Sequence, residues 1–378
     1  MRVCLYLEAD GALTKSGFKR ACEHQIKALQ LQGVRVTDDP ADEPYDLLHL
    51  HAWGPRSLYF LKRAKWEGIP VVVHAHSVGA HDFRDSFTMS NVIAPIYESY
   101  LKFFYEAGDY VFTPTEFAKR CLLRSGITKP IAAVSNGVDR ERFRFSAEHR
   151  AAYRKRFHLE RLTVFSAGNI IPRKGIESFL AVAERLPQFD FIWYGQLWSK
   201  LLTFHPKMYQ RIEERPPNVC MPGFVSDTPG AYSAADILFF PSHSETQGLV
   251  LLEAASLGLP LVVRDLPEYR DWLIDGVNCL KGQSDSAFVE ALRHIAGDER
   301  LRAKLQEGAL ALAEAHSLAV TGKHLVELYH QVRTLHRRLT PARNATVKRP
   351  RQTTRTKRPL THASEPRVRP DELWRFFS

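Results

Sequence analysis

The chain is poor in features that would assign it quickly. Five cysteines in 378 residues (Cys4, Cys22, Cys121, Cys220, Cys279) are odd in number and scattered, and none forms a C-x-x-C pair. That pattern offers neither a disulfide framework nor a zinc knuckle and fits a reducing cytoplasm. The opening MRVCLYLEAD reads as a short buried strand and not as a basic stretch followed by a long apolar leader. The longest apolar-rich run, 248–263, is interrupted by Glu253 and Pro260. It falls short of the roughly 20 apolar residues a membrane-crossing helix needs. There is no G-x-G-x-x-G fingerprint, which argues against a Rossmann dehydrogenase. There is also no D-x-D pair of carboxylates to share a divalent cation, so no metal and no cofactor is expected.

What is present is charge, unevenly placed. The net charge is +10, yet residues 337–378 hold twelve Lys or Arg against Glu365, Asp371 and Glu372, a surplus of nine. The remainder is close to neutral. Residues 340–378 are rich in Pro, Thr and Arg with few large apolar groups, which predicts a disordered basic tail. Such a tail suits an anionic lipid surface or nucleic acid, or serves only as a solubilising extension. No aromatic stacking motif accompanies it, so nucleic acid ranks last.

Short apolar runs alternate with amphipathic stretches, the pattern of parallel sheets flanked by helices. Strands are expected at 3–7, 46–51, 70–76, 110–114 and 131–134, with helices at 18–32, 57–67 and 115–125. A polar, turn-rich segment at 135–159 reads as a connector. The rhythm then resumes with strands at 163–167, 189–194, 219–222, 237–241 and 260–264. The expected fold is therefore α/β, two Rossmann-like doubly wound domains facing a cleft. The division is 1–150, 151–320, a final helix 321–339 returning to the first domain, and the tail. Ligands of such sheets bind beyond the carboxyl ends of the strands.

Two stretches at those ends carry chemistry. In PSHSETQGLVLLEAASLGLP (241–260), Glu245 lies after a strand and Glu253 lies eight residues on, in a very apolar helix starting near Gly248. The amides of Thr246, Gln247, Gly248 and Leu249 at the helix start form a ready anion site. A carboxylate on an apolar helix is costly without hydroxyl or N–H partners, and a ribose diol would supply them. In the second stretch, strand 163–167 is followed by Gly168 and then by Arg173, Lys174 and Gly175. Adjacent cations at a helix start oppose its dipole, which favours an anionic ligand such as a diphosphate.

These elements, with Pro222-Gly223-Phe224-Val225 in the second half and Ser16-Gly17, PVVVHAH (70–76) and SNGVD (135–139) in the first, resemble the retaining glycosyltransferases of the two-Rossmann-domain (GT-B) fold, family four. The resemblance spans residues 1–338. It implies that Arg173 and Lys174 hold the diphosphate of a nucleotide sugar and that Glu253 binds the ribose. Glu245, with the 246–249 amides, would grip the hexose. Val225 would meet the base through its backbone, Gly17 and Gly168 would admit the phosphates, and His76 would sit beside the reacting sugar. Retention implies either front-face attack or a brief covalent species. The sequence departs from the pattern at Asn169, where the family often has Arg, and at Thr246-Gln247, where Gly-Phe is common.

His49 and His51, like His74 and His76, lie two apart on predicted strands and share a face, a spacing open to a metal but more often seen in strand-end histidines bonded to backbone or substrate. For the acceptor, HAHS followed by DFRDSF resembles the diacylglycerol glucosyltransferases of the family. Tyr59, Phe60, Trp66, Tyr97, Tyr100, Phe103, Phe104 and Tyr105, interleaved with Lys and Arg, suit a membrane interface or packing against the sheet. The expectation is hexosyl transfer, with UDP-glucose the favoured donor, to a lipid on the cytoplasmic face of the membrane. A polysaccharide or soluble acceptor is the alternative.

Overall fold

The computed structural model describes residues 1–8, 17–199 and 205–339. The expected basic tail, 340–378, and Ser16 lie outside the described residues. Among the described residues twelve strands form two six-stranded parallel sheets. The first holds β1 (Arg2–Tyr6), β2 (Arg35–Thr37), β3 (Leu47–Leu50), β4 (Val71–His74), β5 (Tyr110–Thr113) and β6 (Ile131–Ala133), in the order β2-β1-β3-β4-β5-β6. The second holds β7 (Thr163–Ala167), β8 (Asp190–Tyr194), β9 (Val219–Gly223), β10 (Ile237–Phe240), β11 (Leu261–Arg264) and β12 (Leu280–Gly282), in the order β12-β11-β10-β7-β8-β9. Helices cover both faces, so central strands such as Val71–His74 and Ile237–Phe240 are buried throughout, and the second reads as an unbroken apolar run.

The order of the second sheet reverses between β7 and β10. At such a switch point the loops leaving two neighbouring strands diverge to opposite faces and open a crevice. Those two loops carry Arg173-Lys174 and Glu245. In the first sheet the reversal falls between β1 and β3, so the segment after β3, with His51 and Trp53, flanks the corresponding gap.

The helix Leu318–Leu339 packs against the helix Gly17–Leu31. Its Leu325, Leu328, Tyr329 and Val332 share a core with Val3, Leu5, Val72 and Phe112 of the first sheet. The expected connector 135–159 instead contains a helix, Ala147–Phe157, with no buried residue. Tyr153 and Phe157 pack, partly buried, against the core of the second lobe, and polar contacts add to their hold. Ser146 caps it by accepting from the amide of His149 (3.2 Å), and Arg150 donates to the Asp236 carboxylate (2.6 Å) and the Ala235 carbonyl (2.8 Å).

Candidate active site

Beyond β7 the chain turns at Gly168, makes one 3-10 turn over Pro172–Lys174, and enters the helix Ile176–Glu184 through Gly175. Gly175 has φ +76°, and a Cβ there would stand 2.3 Å from the Pro241 carbonyl oxygen. Only glycine lets the β7 loop lie this close to the β10 loop. The close approach sets the Lys174 ammonium on the Glu245 carboxylate. Both side chains are nearly excluded from solvent, at 16% and 7% exposure, and Ser242 Oγ donates a second bond to Glu245 Oε1 (2.8 Å).

Burial pushes the Glu245 pKa up, but the charges of Lys174 and Arg173 and the two side-chain hydrogen bonds outweigh it and hold the carboxyl below its ordinary range. Burial lowers the Lys174 pKa, against the pull of Glu245. The Arg173 guanidinium bridges the lobes. It donates to the Ser244 carbonyl (2.6 Å) and to Ser86 Oγ of the first lobe (3.0 Å).

The helix Leu249–Ser256 begins after Gly248 (φ +82°), close behind the loop that leaves β10, and the first amides of any helix have no acceptor in the preceding turn. Glu253 lies within it at 0% exposure. Its Oε1 accepts from Arg20 of the helix Gly17–Leu31 at 2.6 Å, while its buried Oε2 has no hydrogen-bond partner among the described residues. That pairing raises the Arg20 pKa. Arg20 is a residue the sequence could not nominate, because 233 positions separate it from Glu253.

Gln247 does not face the crevice with its side chain. Its Oε1 accepts from the Asn136 amide (3.0 Å) and its Nε2 donates to Ser135 Oγ (2.9 Å), while Thr115 Oγ1 donates to the Thr246 carbonyl (2.9 Å). These bonds clasp the two lobes. A second clasp escaped sequence reading: His81 bonds Glu268 Oε1 at 2.8 Å, and Glu268 is 1% exposed. The hydrogen bond to Glu268 raises the His81 pKa against the effect of burial. Val225 is half-buried against the core beneath the Glu253 helix, and Gly168 sits at φ +141°, where its carbonyl accepts from Trp193. Gly17 is the first residue of its helix, with no heavy atom within 4 Å of where a Cβ would stand, so packing among the described residues does not demand glycine there.

On the first lobe His76 stacks on Phe18 (centroids 5.1 Å apart), and its Nε2 lies 3.0 Å from His51 Nδ1. Burial lowers its pKa to about 3, so the ring is neutral at ordinary pH. His49, His51 and His74 are the group among the described residues whose ring nitrogens lie close enough together, within 4.8 Å, to hold a metal ion. Their orientation suits a hydrogen-bonded stack better. The rings of His51 and His74 are near parallel (14°) at 4.9 Å, so their in-plane lone pairs run side by side. His49 Nδ1 bonds Tyr329 OH (2.7 Å), and His49 Nε2 lies 3.3 Å from His74 Nδ1.

Comparison with known proteins decides the family. The model for glycosyl transferases group 1 matches residues 150–311, and that for glycosyltransferase family 4 matches residues 27–142. The chain is 37% identical to the processive diacylglycerol alpha-glucosyltransferase of Acholeplasma laidlawii, over 88% of this chain and 98% of the relative. The chain belongs to glycosyltransferase family four. It is a hexosyltransferase, of a kind that uses nucleotide-sugar donors. The glycosyltransferase is also 32% identical to the alpha-galactosylglucosyldiacylglycerol synthase of Streptococcus pneumoniae, over 44% of each chain. Its GT-B fold is that of HepE from Anabaena, solved with UDP-glucose (TM-score 0.70, 16% identity, 88% of this chain and 100% of that one). Sucrose-phosphate synthase from Thermosynechococcus elongatus shares it too (TM-score 0.73, 17% identity, 89% and 100%).

Proposed function

We propose that this glycosyltransferase moves a glucosyl residue from UDP-glucose, with retention, to the hydroxyl of a membrane lipid such as diacylglycerol. The observation that carries the reading is the crevice at the β7/β10 switch point. A buried cation, a buried carboxylate and free helix amides meet there in a chain so similar to a diacylglycerol glucosyltransferase. The second lobe is the donor lobe and the first the acceptor lobe. Lys174 and Arg173 hold the diphosphate, Glu253 Oε2 accepts from a ribose hydroxyl, and the Val225 backbone meets the base. Gly17 and Gly168 flank the phosphates. Glu245 and the 246–249 amides orient the hexose.

As the bond from C1 to the phosphate oxygen breaks, its electron pair stays on UDP. The acceptor oxygen bonds C1 and its proton passes to the leaving phosphate. Preorganised cations and amides lower the cost of that developing charge. They take the place of a divalent ion, so added metal is not required. His76, neutral, acts as a hydrogen-bonding group that positions the sugar and not as a charged acid.

The lipid acceptor is favoured by the helix Ser90–Ala107. It buries Ala94, Leu101, Phe104 and Tyr105 while Val92, Ile93, Ile96, Tyr100 and Phe103 remain exposed, Ile96 at 73%. An exposed apolar stripe of this kind can lie in a headgroup layer. No helix among the described residues is long and apolar enough to cross a membrane. The proposed site of action is the inner face of the cell membrane, reached from the cytoplasm, as the lipid-glucosylating relative suggests. The test is incubation with labelled UDP-glucose and dioleoylglycerol vesicles, with and without EDTA, followed by lipid chromatography. Labelled glucolipid, unchanged by EDTA and reduced severalfold by Ile96→Asp, is expected. A labelled soluble or polymeric product with no glycolipid overturns the reading.

A further inference from the structure

The helix Gly17–Leu31 belongs to the first lobe. Its Cys22 and Leu29 share a core with Val3 and Leu5 of β1, and it packs along the helix Leu318–Leu339. Arg20, His24 and Lys27, four and three residues apart, fall on one face of it. All three bond away from that core. His24 Nδ1 donates to the Gly137 carbonyl (2.8 Å) and Lys27 to the Asp139 carboxylate (2.5 Å), both in the segment that joins the lobes. Arg20 reaches across to Glu253 of the second lobe. The helix is thus pinned at the junction, with its first turn held against the apolar helix that carries Glu253.

A cation in the first turn of a helix opposes the dipole, so the position of Arg20 is costly unless an anion faces it. The anion is Glu253. The guanidinium sits with Nη1 2.6 Å from Glu253 Oε1 and also hydrogen-bonds Tyr232, whose ring packs on Phe165 at 4.7 Å in the second lobe. An arginine and a carboxylate that only bolted two surfaces together would gain from the bidentate arrangement, in which each oxygen takes an N–H. Here one oxygen is taken. Oε2, on a side chain 0% exposed, has no hydrogen-bond partner among the described residues. The Gln247 clasp differs, because its amide oxygen and nitrogen are both engaged, on Asn136 and Ser135. A buried carboxylate oxygen left open is costly and calls for a donor. Arg20 supplies the counter-charge and fixes the rotation of the carboxylate while leaving that one acceptor for a ligand hydroxyl.

We propose that Arg20, a residue of the acceptor lobe, is a positioning residue of the donor site: it sets Glu253 so that Oε2 meets a ribose hydroxyl, and the preference for a ribonucleotide over a deoxyribonucleotide depends on it. The inference rests on the reading in which Glu253 holds the ribose, and goes beyond it by placing the residue that governs this contact on the opposite lobe. Without Arg20 the carboxylate loses its orientation and its counter-charge together, and the second lobe no longer reads the sugar of the nucleotide.

The experiment is calorimetric binding of UDP, 2′-deoxy-UDP and 3′-deoxy-UDP to the full chain and to its Arg20→Ala and Arg20→Lys variants, with thermal unfolding as the check on fold. A hydrogen bond to a charged group is worth about tenfold or more in affinity, so the wild type should bind UDP about tenfold more tightly than at least one deoxy analogue. In Arg20→Ala that preference should collapse to within about twofold, because UDP loses the contact and the deoxy analogue never had it. Arg20→Lys keeps the charge but not the planar fork, and its preference should be intermediate, about threefold. A residue that merely bolted the lobes would, when removed, weaken all three ligands alike. Undiminished preference in Arg20→Ala, or an equal loss for all three ligands, therefore overturns the inference. Should Arg20→Ala not fold, Arg20→Lys decides: the full wild-type preference, or equal weakening of all three, counts against. A wild type that binds UDP and both analogues alike takes the ribose off Glu253. That result overturns the donor-site reading and this inference with it, and it is read from the wild type before any variant is measured.

Discussion

The two edges of the cleft are built on opposite electrostatic plans. The second lobe buries charge: Lys174 against Glu245, and Glu253 with one oxygen held by Arg20 and the other without a partner among the described residues. The first lobe, at matching strand ends, buries neutral imidazoles and presents aromatic surface. Excluding ions from water costs several kcal/mol each even after relaxation, so a fold rarely keeps them without a ligand or a partner to meet. The contrast fits the proposed roles, the charged edge for the anionic donor and the neutral edge for a hydroxyl and its apolar carrier.

The sharpest way to break this contrast is at Glu245. Glu245→Gln keeps the shape and the Ser242 bond but removes the charge, and kcat should fall about 10²- to 10³-fold, with the thermal unfolding midpoint as the check on fold. Lys174→Ala should act mainly on the donor and raise its KM. Loss of one charged hydrogen bond, about 1.5–3 kcal/mol, corresponds to roughly 10- to 150-fold. Glu253→Gln should weaken UDP binding about tenfold in calorimetry and leave acceptor KM unchanged, whereas His76→Asn should show the reverse pattern.

The smallest expected effect is in the His81–Glu268 clasp. The charged imidazole is the stabilised form, so the clasp is complete below the ordinary pKa of 6.5 and weakens as pH rises through the raised value. The lobes should loosen slightly as pH rises above 6.5, read as radius of gyration by small-angle scattering. His81→Gln should show no such dependence. A wild type that does not change would remove the clasp from the account.

Much of this was legible in the sequence because parallel strands covered on both faces appear as short runs of Val, Ile, Leu and Phe. The strand Ile237–Phe240 is the clearest case. Three-residue edge strands such as Arg35–Thr37 and Leu280–Gly282 bury too little to leave that trace. The helix Ala147–Phe157 left little trace, because Arg150 and a cap hold it beside the half-buried Tyr153 and Phe157, and none of its residues is fully buried. Arg173, Lys174, Glu245 and Glu253 stood out as charges in apolar or glycine-rich settings at strand ends. Their partners did not. Arg20, Ser242 and Glu268 are ordinary residues made relevant only by contacts across the fold, and Gln247 proved to clasp the lobes with its side chain.

The most direct test of the charged edge is a crystal structure with UDP bound. The account predicts the pyrophosphate within about 2.7–2.9 Å of donors from Lys174 or Arg173, and a ribose hydroxyl on Glu253 Oε2. A nucleotide seated on the histidine side, touching none of these residues, would contradict it.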